Sequence, residues 1–568
     1  MSMVAQSGDP PLLPAPYAAT MSRVYAMDLP EDGNGPYRLL RGLQKHLVDR
    51  FLTSIERPRE AQEARLEILL AQARGTAFGR EHGLDKVRTL ADWRSAMPVR
   101  SHIDLLPWLD RVADGERDVL TREAPQMLLE TSGTTGRPKH LPCTATWAKG
   151  VADAQALWLL ALIRDHEVIT KGKALTIVSP AEHARSAGGL PIGSNTGRMS
   201  AAQPWFIRMR YPVPAPVFGL ADVELRQYAI LRYALQSDLV TMTTANPSTI
   251  LLLCRRLQQW REALSADLRD GTLRRGPAER LDPALRRRLW WSLRRRTPPT
   301  DWRPVAIWPR LTTINCWRGG SAAYFVDRLP GALGGDVPVR EVGITASEGY
   351  FAVPMGADWG GGVLWLLGHV MEFVDAAGEP RWAWELEAGE QVRLVVSTEA
   401  GLYRYDLADT LEVLGRCGNT PVVRFVGKSG RYLNATGEKV AAAQVSEAMR
   451  RAAAHVGVHP VGFTARTRMA EVPCVELAVE GVDAAALPTL TAAFEDALRD
   501  VNIEYASKRG THRLGPCVAR GVPAGTYAAF RAARVAAGAP AGQVKDPIVA
   551  VTDDEWLRVL HAASEDPT

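Results

Sequence analysis

Residues 127–142 read MLLETSGTTGRPKHLP: an apolar, strand-like run empties into a loop of hydroxyls and glycines that ends in a cation. Thr131, Ser132, Gly133, Thr134, Thr135, Gly136 and Lys139 are the residue types that wrap phosphate. Glycines let backbone N–H groups approach the oxygens, hydroxyls add donors, and a lysine adds positive charge. Arg137 and Pro138 separate Gly136 from Lys139, so this is not a Walker loop. A nine-residue hydroxyl and glycine loop directly after an apolar strand is more than a means of turning the chain. Other catalytic patterns are absent: there is no GxSxG elbow, no HExxH zinc motif and no GxGxxG fingerprint, and the 11 histidines are scattered. His140 and His183 read as polar neighbours of the loop and of a later glycine-rich segment, with His183 placed to orient a carboxylate or an amine.

Such a loop needs a rigid scaffold, and the pattern around it is mixed α/β. Helical periodicity begins near Tyr37 and alternates with short apolar segments at 174–179, 238–244, 392–398 and 421–427, each bounded by turn residues. The first 36 residues, rich in Pro, Gly and small polar residues, read as a loose arm. Residues 37–426 read as a large N-terminal unit. Residues 427–568, with Ala-rich helices at Val440–His455 and Ala484–Val501 around a strand-like VELAVEG, read as a smaller, mobile C-terminal α/β unit. The glycines of Gly427–Arg431 mark the hinge.

At 568 residues, with 46% hydrophobic and 23% charged residues, the chain reads as a multi-domain globular protein, which excludes a disordered chain, a collagen-like fibre and a coiled-coil rod. Its longest apolar run, Ala154–Ile163, is too short to cross a bilayer, and the start lacks a signal-peptide pattern. The 6 cysteines have no metal-ligand spacing and read as reduced thiols, so the expectation is a cytoplasmic protein. The net charge of +5 is local: residues 251–300 hold 13 Arg against 5 Asp and Glu, including ALRRRLWWSLRRR. Arginines beside aromatics can grip nucleic acid, but an amphipathic helix with a wet arginine face has the same sequence and is the reading adopted.

TSGTTGRPK resembles the nucleotide-phosphate loop of the acyl-adenylate-forming superfamily, and four later segments resemble those of the acyl acid amido synthetases, the plant auxin- and jasmonate-conjugating enzymes and their bacterial relatives. SAGGLPIGSNTG (186–197) resembles the family's acyl-site segment, GITASEG (343–349) its adenine and metal motif, and GLYRYDLADTLEV (401–413) its ribose motif. GTYAAF (525–530) with GAPAGQVKDP (538–547) resembles its closing pattern. Order and spacing agree from about residue 127 to 549.

The resemblance implies Glu348 as magnesium ligand, with Ser347 beside it. Its carboxylate is the hard oxygen donor that magnesium prefers, and its alternative is a turn or cap carboxylate. It implies Asp409 as acceptor of the ribose hydroxyl hydrogen bonds, with Phe425 and Lys428 lining the nucleotide, and Lys439 and Lys545 near the phosphates or the acceptor. Read alone, Lys439 beside an Ala-rich helix is solvated surface, whereas Gly542 and Pro547 hold Lys545 in a short non-helical loop. Two positions depart from the family: Ile344 stands where a tyrosine stacks on adenine, and Ala408 replaces the glycine before the ribose aspartate. The acyl pocket is expected between Ser186–Gly197, TTANPSTILLL (243–253) and WRGGSAAYF (317–325).

The resulting expectation is an ATP- and magnesium-dependent ligase. It activates a carboxylic acid as acyl-AMP and passes the acyl group to an amine, an amino acid by the resemblance. The alternative acceptor is the thiol of coenzyme A or of a carrier protein, since the first half-reaction is shared. The GQVKDP element favours the amide. Neither nucleic-acid binding nor a membrane span is expected.

Overall fold

The computed structural model describes residues 23–25, 33–131, 139–357, 359–428, 432–536 and 546–562. Its architecture is mixed α/β, with several sheets wrapped by helices. A nine-stranded sheet runs in the order Ile344–Thr345, Tyr350–Val353, Gly362–Leu364, Thr420–Lys428, Tyr405–Cys417, Gln391–Ser397, Val370–Val374, Pro380–Arg381, and Arg23–Tyr25 pairs alongside Tyr405–Cys417. That last pairing places three residues of the expected loose arm in a parallel ladder, Arg23 opposite Gly415.

Tyr405–Cys417 alternates buried and half-buried residues along its whole length, the period-2 signature of a strand with one face on a core. Tyr405, Leu407 and Asp409 therefore share the buried face. The ladder with Gln391–Ser397 slips between Arg393 and Val395, opposite the segment that holds Ala408. Ala408 sits there at φ 56°, in the left-handed region that costs a residue with a Cβ roughly 1–2 kcal/mol. The small departure from glycine at this position is thus a strained one.

A four-stranded parallel sheet, Lys173–Thr176, Leu239–Thr243, Thr313–Asn315 and Val339–Arg340, needs helical crossovers, which Val223–Leu235 and Ser248–Gln259 help to supply. Its core is separate from that of the nine-stranded sheet. The strand Met127–Thr131 pairs with Lys139–Cys143 and with Pro191–Gly193. The last sheet, Val518–Val522, Cys474–Glu480, Gly462–Arg468 and Val549–Ala550, packs on the helices Ala442–Val456 and Leu487–Val501 in a third core drawn from Leu433 to Val549.

The apolar run Ala154–Ile163 lies inside the helix Ala145–Asp165, and no helix among the described residues is long and apolar enough to cross a membrane. None of the six cysteines is in a disulfide, and all but Cys254 are buried. The arginine-rich helix, Pro283–Trp290, buries Leu289 alone and leaves Trp290 and Trp291 at 69% and 79% exposure, so its aromatics share the wet side with the arginines.

Candidate active site

The site lies where the nine-stranded sheet meets the strand leaving the phosphate loop. Thr131 ends the strand Met127–Thr131 and Lys139 begins the next; Ser132, Gly133, Thr134, Thr135 and Gly136 lie outside the described residues, as does Lys545. Lys139 is carried across to Tyr405, where its Nζ donates to the phenol oxygen at 3.2 Å. Burial first, then the charge of Glu348, holds the Tyr405 phenol well above its ordinary value. Tyr405 therefore links the loop lysine to Glu348.

Glu348 projects from the tight turn between Ile344–Thr345 and Tyr350–Val353. Trp147 Nε1, on the helix Ala145–Asp165, donates to the Glu348 carbonyl at 2.9 Å and Ala346 N donates to Gly349 O at 2.9 Å, which fixes the turn. A Cβ on Gly349 would lie 2.3 Å from His369 Nε2, so the TASEG glycine is needed for close packing. The half-buried Glu348 carboxylate accepts a hydrogen bond from the Tyr405 phenol, and Ser347 is half-buried beside it. Ile344 packs into the core of the nine-stranded sheet, so adenine stacking, if present, comes from another side chain.

Asp409 and Lys428 stand directly opposite each other across the ladder. Lys428 Nζ pairs with the Asp409 carboxylate and donates to Leu407 O at 2.6 Å. Burial works against the Lys428 charge, but Asp409 and Glu348 outweigh it and raise the ammonium above its ordinary value. Phe425, three residues earlier on the strand, is packed against the WRGG turn: a Cβ on Gly319 would lie 2.4 Å from Phe425 O, and one on Gly320 2.9 Å from Phe425 Cε1.

Lys439 corrects the sequence reading. The helix begins only at Ala442, and Lys439 sits before the short strand Val440–Ala441, half-buried beside Lys428 rather than solvated on a helix. The turn that aims it is held by Glu438, whose carboxylate accepts from Ala435 N at 2.6 Å and from Thr436 N and Oγ1 at 2.8 Å each. Burial and then Lys428 lower the Lys439 ammonium. Burial also lowers Lys139, with Glu348 opposing and Lys439 and Lys428 adding to the effect. His102, buried next to Lys139, is held neutral at a pKa of about 4 by burial and that lysine.

The arrangement is thus a cluster of three lysines against two carboxylates, Glu348 bonded to the Tyr405 phenol and Asp409 paired with Lys428 on a strand. It can bind a polyphosphate and neutralise its charge. Sequence reasoning missed Tyr405, although it lies inside GLYRYDLADT, and missed Glu504, which acts electrostatically on Lys139 and Lys439. His140 and His183 do not join the cluster. They flank Glu130, at 3.5 Å and 3.3 Å, and lower its carboxylate. Gly188, Gly193 and Gly197 of the expected acyl segment each meet neighbouring backbone so closely that a Cβ would overlap it.

Comparison with known proteins matches three family models: the GH3 family N-terminal domain over residues 47–339, the central domain over 363–428 and the C-terminal domain over 443–553. The indole-3-acetic acid-amido synthetase GH3.8 of Oryza sativa subsp. indica is 26% identical over 550 residues, covering 88% of this chain and 89% of its own. The jasmonoyl-L-amino acid synthetase JAR6 of Nicotiana attenuata is 24% identical over 566 residues, covering 91% and 95%. Among solved structures, the GH3.15 acyl acid amido synthetase superposes with a TM-score of 0.62 at 19% identity, covering 94% of this chain and 97% of its own, so the fold is shared. The chain belongs to the GH3 family.

Proposed function

We propose that this chain is an ATP-dependent acyl acid amido synthetase. The observation that carries the reading is the cluster of Lys139, Lys428 and Lys439 around Tyr405, the Glu348 carboxylate bonded to it and the strand aspartate Asp409. Membership of a family whose matched relatives are named amido synthetases supports it.

In this reading a carboxylate oxygen of the acid attacks the α-phosphorus of ATP and pyrophosphate leaves with the electron pair of the broken P–O bond. The amine nitrogen then attacks the acyl carbon, the C–O bond to phosphate breaks, AMP leaves, and the two protons lost from an ammonium pass to base or solvent. Lys139 and Lys439 neutralise phosphate charge, Asp409 accepts from the ribose, and Lys428 holds Asp409 in place. The phosphate loop Thr131–Gly136 and Lys545 join them by resemblance. No group of three or more metal-binding side chains occurs among the described residues. Magnesium binds nucleotides through one or two carboxylates plus phosphate oxygens, and Glu348, which spends one hydrogen bond on a phenol and keeps further lone pairs, fits that pattern. When bound, the ion would draw charge off the leaving pyrophosphate. A C-terminal unit beginning near Gly427 would reorient between the half-reactions, and six cysteines without a disulfide suit the cytoplasm.

The test is pyrophosphate release with ATP, magnesium and a panel of aryl, indolyl and aliphatic acids, each alone, with mixed amino acids, and with coenzyme A. Acid-dependent release boosted by amino acids, with an amide product by mass, is the expected result. A boost by coenzyme A alone would contradict it.

A further inference from the structure

The helix Ile503–Gly510 carries charges that the adenylation chemistry does not use. Its N-cap, Asn502, accepts from Tyr505 N at 2.9 Å and donates to Lys439 O at 2.8 Å and to Gln444 Oε1 at 3.0 Å. The helix start is thereby bolted to the backbone of a site lysine. Tyr505 is fully buried in the third core, and Arg509 pairs with Glu495. Glu504 and Lys508 lie one turn apart on the remaining face.

Glu followed four residues later by Lys is the favoured helical ion pair. Here the pair does not form. Glu504 Oε2 is buried without a hydrogen-bond partner, and the Lys508 ammonium has neither a hydrogen bond nor an ion pair among the described residues. Nearby Arg513 donates its Nε to Thr511 Oγ1 at 3.0 Å and pairs with no carboxylate among them. Glu438, the closest alternative partner, spends its oxygens on the backbone and hydroxyl of its own turn. Burial, then Arg513, lowers Lys508 to about 8, and burial lowers Arg513 to about 10. Charges withdrawn from water and left unpaired are costly, and a charged ligand relieves that cost.

The order of these groups is informative. Glu504 acts on Lys139 and Lys439 at the nucleotide cluster and also on Lys508 and Arg513, so both sets of cations lie within its electrostatic reach. Space is left at Gly437, φ 100°, where an added Cβ would have only Asn246 Nδ2 at 3.6 Å and Lys508 Nζ at 3.9 Å as neighbours.

We propose that Glu504, Lys508 and Arg513 form the subsite for the acyl acceptor, and that the acceptor is an α-amino acid held as its zwitterion. Its ammonium sits at Glu504, facing the lysines where acyl-AMP forms, and its carboxylate sits at Lys508 and Arg513. This rests on the amido synthetase reading and deepens it, because a coenzyme A thiol offers no ammonium for Glu504.

The experiment uses the full chain with ATP, magnesium and the acid selected by the panel. Amide formation is followed by mass against concentration of the best of the twenty amino acids and of its methyl ester, which keeps the ammonium and removes the carboxylate. For the wild type the ester should have a KM at least tenfold higher than the amino acid. Lys508→Met should raise the amino-acid KM about tenfold with kcat within threefold, while moving the ester KM less than twofold; Lys508→Arg should restore most of the difference. Glu504→Gln should raise both KM values. Equal shifts for amino acid and ester in Lys508→Met, or a wild type indifferent to the carboxylate, would overturn the subsite while leaving amide synthesis intact. Absence of any amide from the wild type would instead overturn the reading beneath it.

Discussion

At the scale of single residues, the account assigns different work to two carboxylates. Glu348 is half-buried and bonded to a neutral phenol, so its replacement strands no buried charge and should harm chemistry more than stability. Glu348→Gln should lower acid-dependent pyrophosphate release by about 10²–10³, the usual loss when one transition-state electrostatic contact is removed, with an unfolding midpoint close to wild type. Asp409 is the counter-charge of a buried lysine. Asp409→Ala should raise the ATP requirement and also cost about 3 kcal/mol of stability, because it strands the Lys428 ammonium. Urea unfolding separates the two effects: a loss of ATP affinity at unchanged stability would mean that the ion pair contributes nothing to the fold. Ala408 shows what one sequence can reveal at this scale. Its departure from glycine was legible, but its left-handed φ of 56° depends on a slipped ladder between strands that the sequence does not show as paired.

At the scale of elements, strands and helices were largely legible because their hydrophobic periods were clean. The segments at 174–179, 238–244, 392–398 and 421–427 became strands within a few residues of their expected ends. The helix expected from Ala484 begins at Leu487. What stayed hidden was the direction in which charged side chains point. By its helical position alone Lys439 read as solvated, against the resemblance that put it near the phosphates, because helix periodicity does not fix a start; the true start at Ala442 leaves it on a half-buried turn. Glu504 and Lys508 drew no reading at all, because their separation from each other is set by tertiary packing. The glycines of 186–197 read as ligand-facing, yet they let backbones touch: a Cβ on Gly197 would lie 2.4 Å from Ser179 O and 2.5 Å from Ala181 N. Gly197→Ala should therefore destabilise the chain by about 2 kcal/mol, within the 1–3 kcal/mol typical of overpacking. An unfolding midpoint within error of wild type would show that this segment has room to move.

At the scale of the whole molecule, the concentration of cations around one site has a consequence for stability. Lys508 titrates near 8 in the folded chain against an ordinary 10.5. Between those values the unfolded chain holds a proton that the folded chain has released, so this group makes stability rise as pH climbs through that window. The wild type should gain stability relative to Lys508→Met between pH 7.5 and 9.5 when urea midpoints are compared; a constant difference would mean that the ammonium is well solvated. The same site is where an acid, a nucleotide and an acceptor must meet for the proposed reaction. The most direct test of that reaction is to supply the selected acid with ¹⁸O in both carboxylate oxygens, together with ATP, magnesium and the preferred amino acid, and to weigh the nucleotide product. The account predicts AMP carrying one heavy oxygen per amide formed. Label found in inorganic phosphate alongside ADP, or AMP without label, would contradict it.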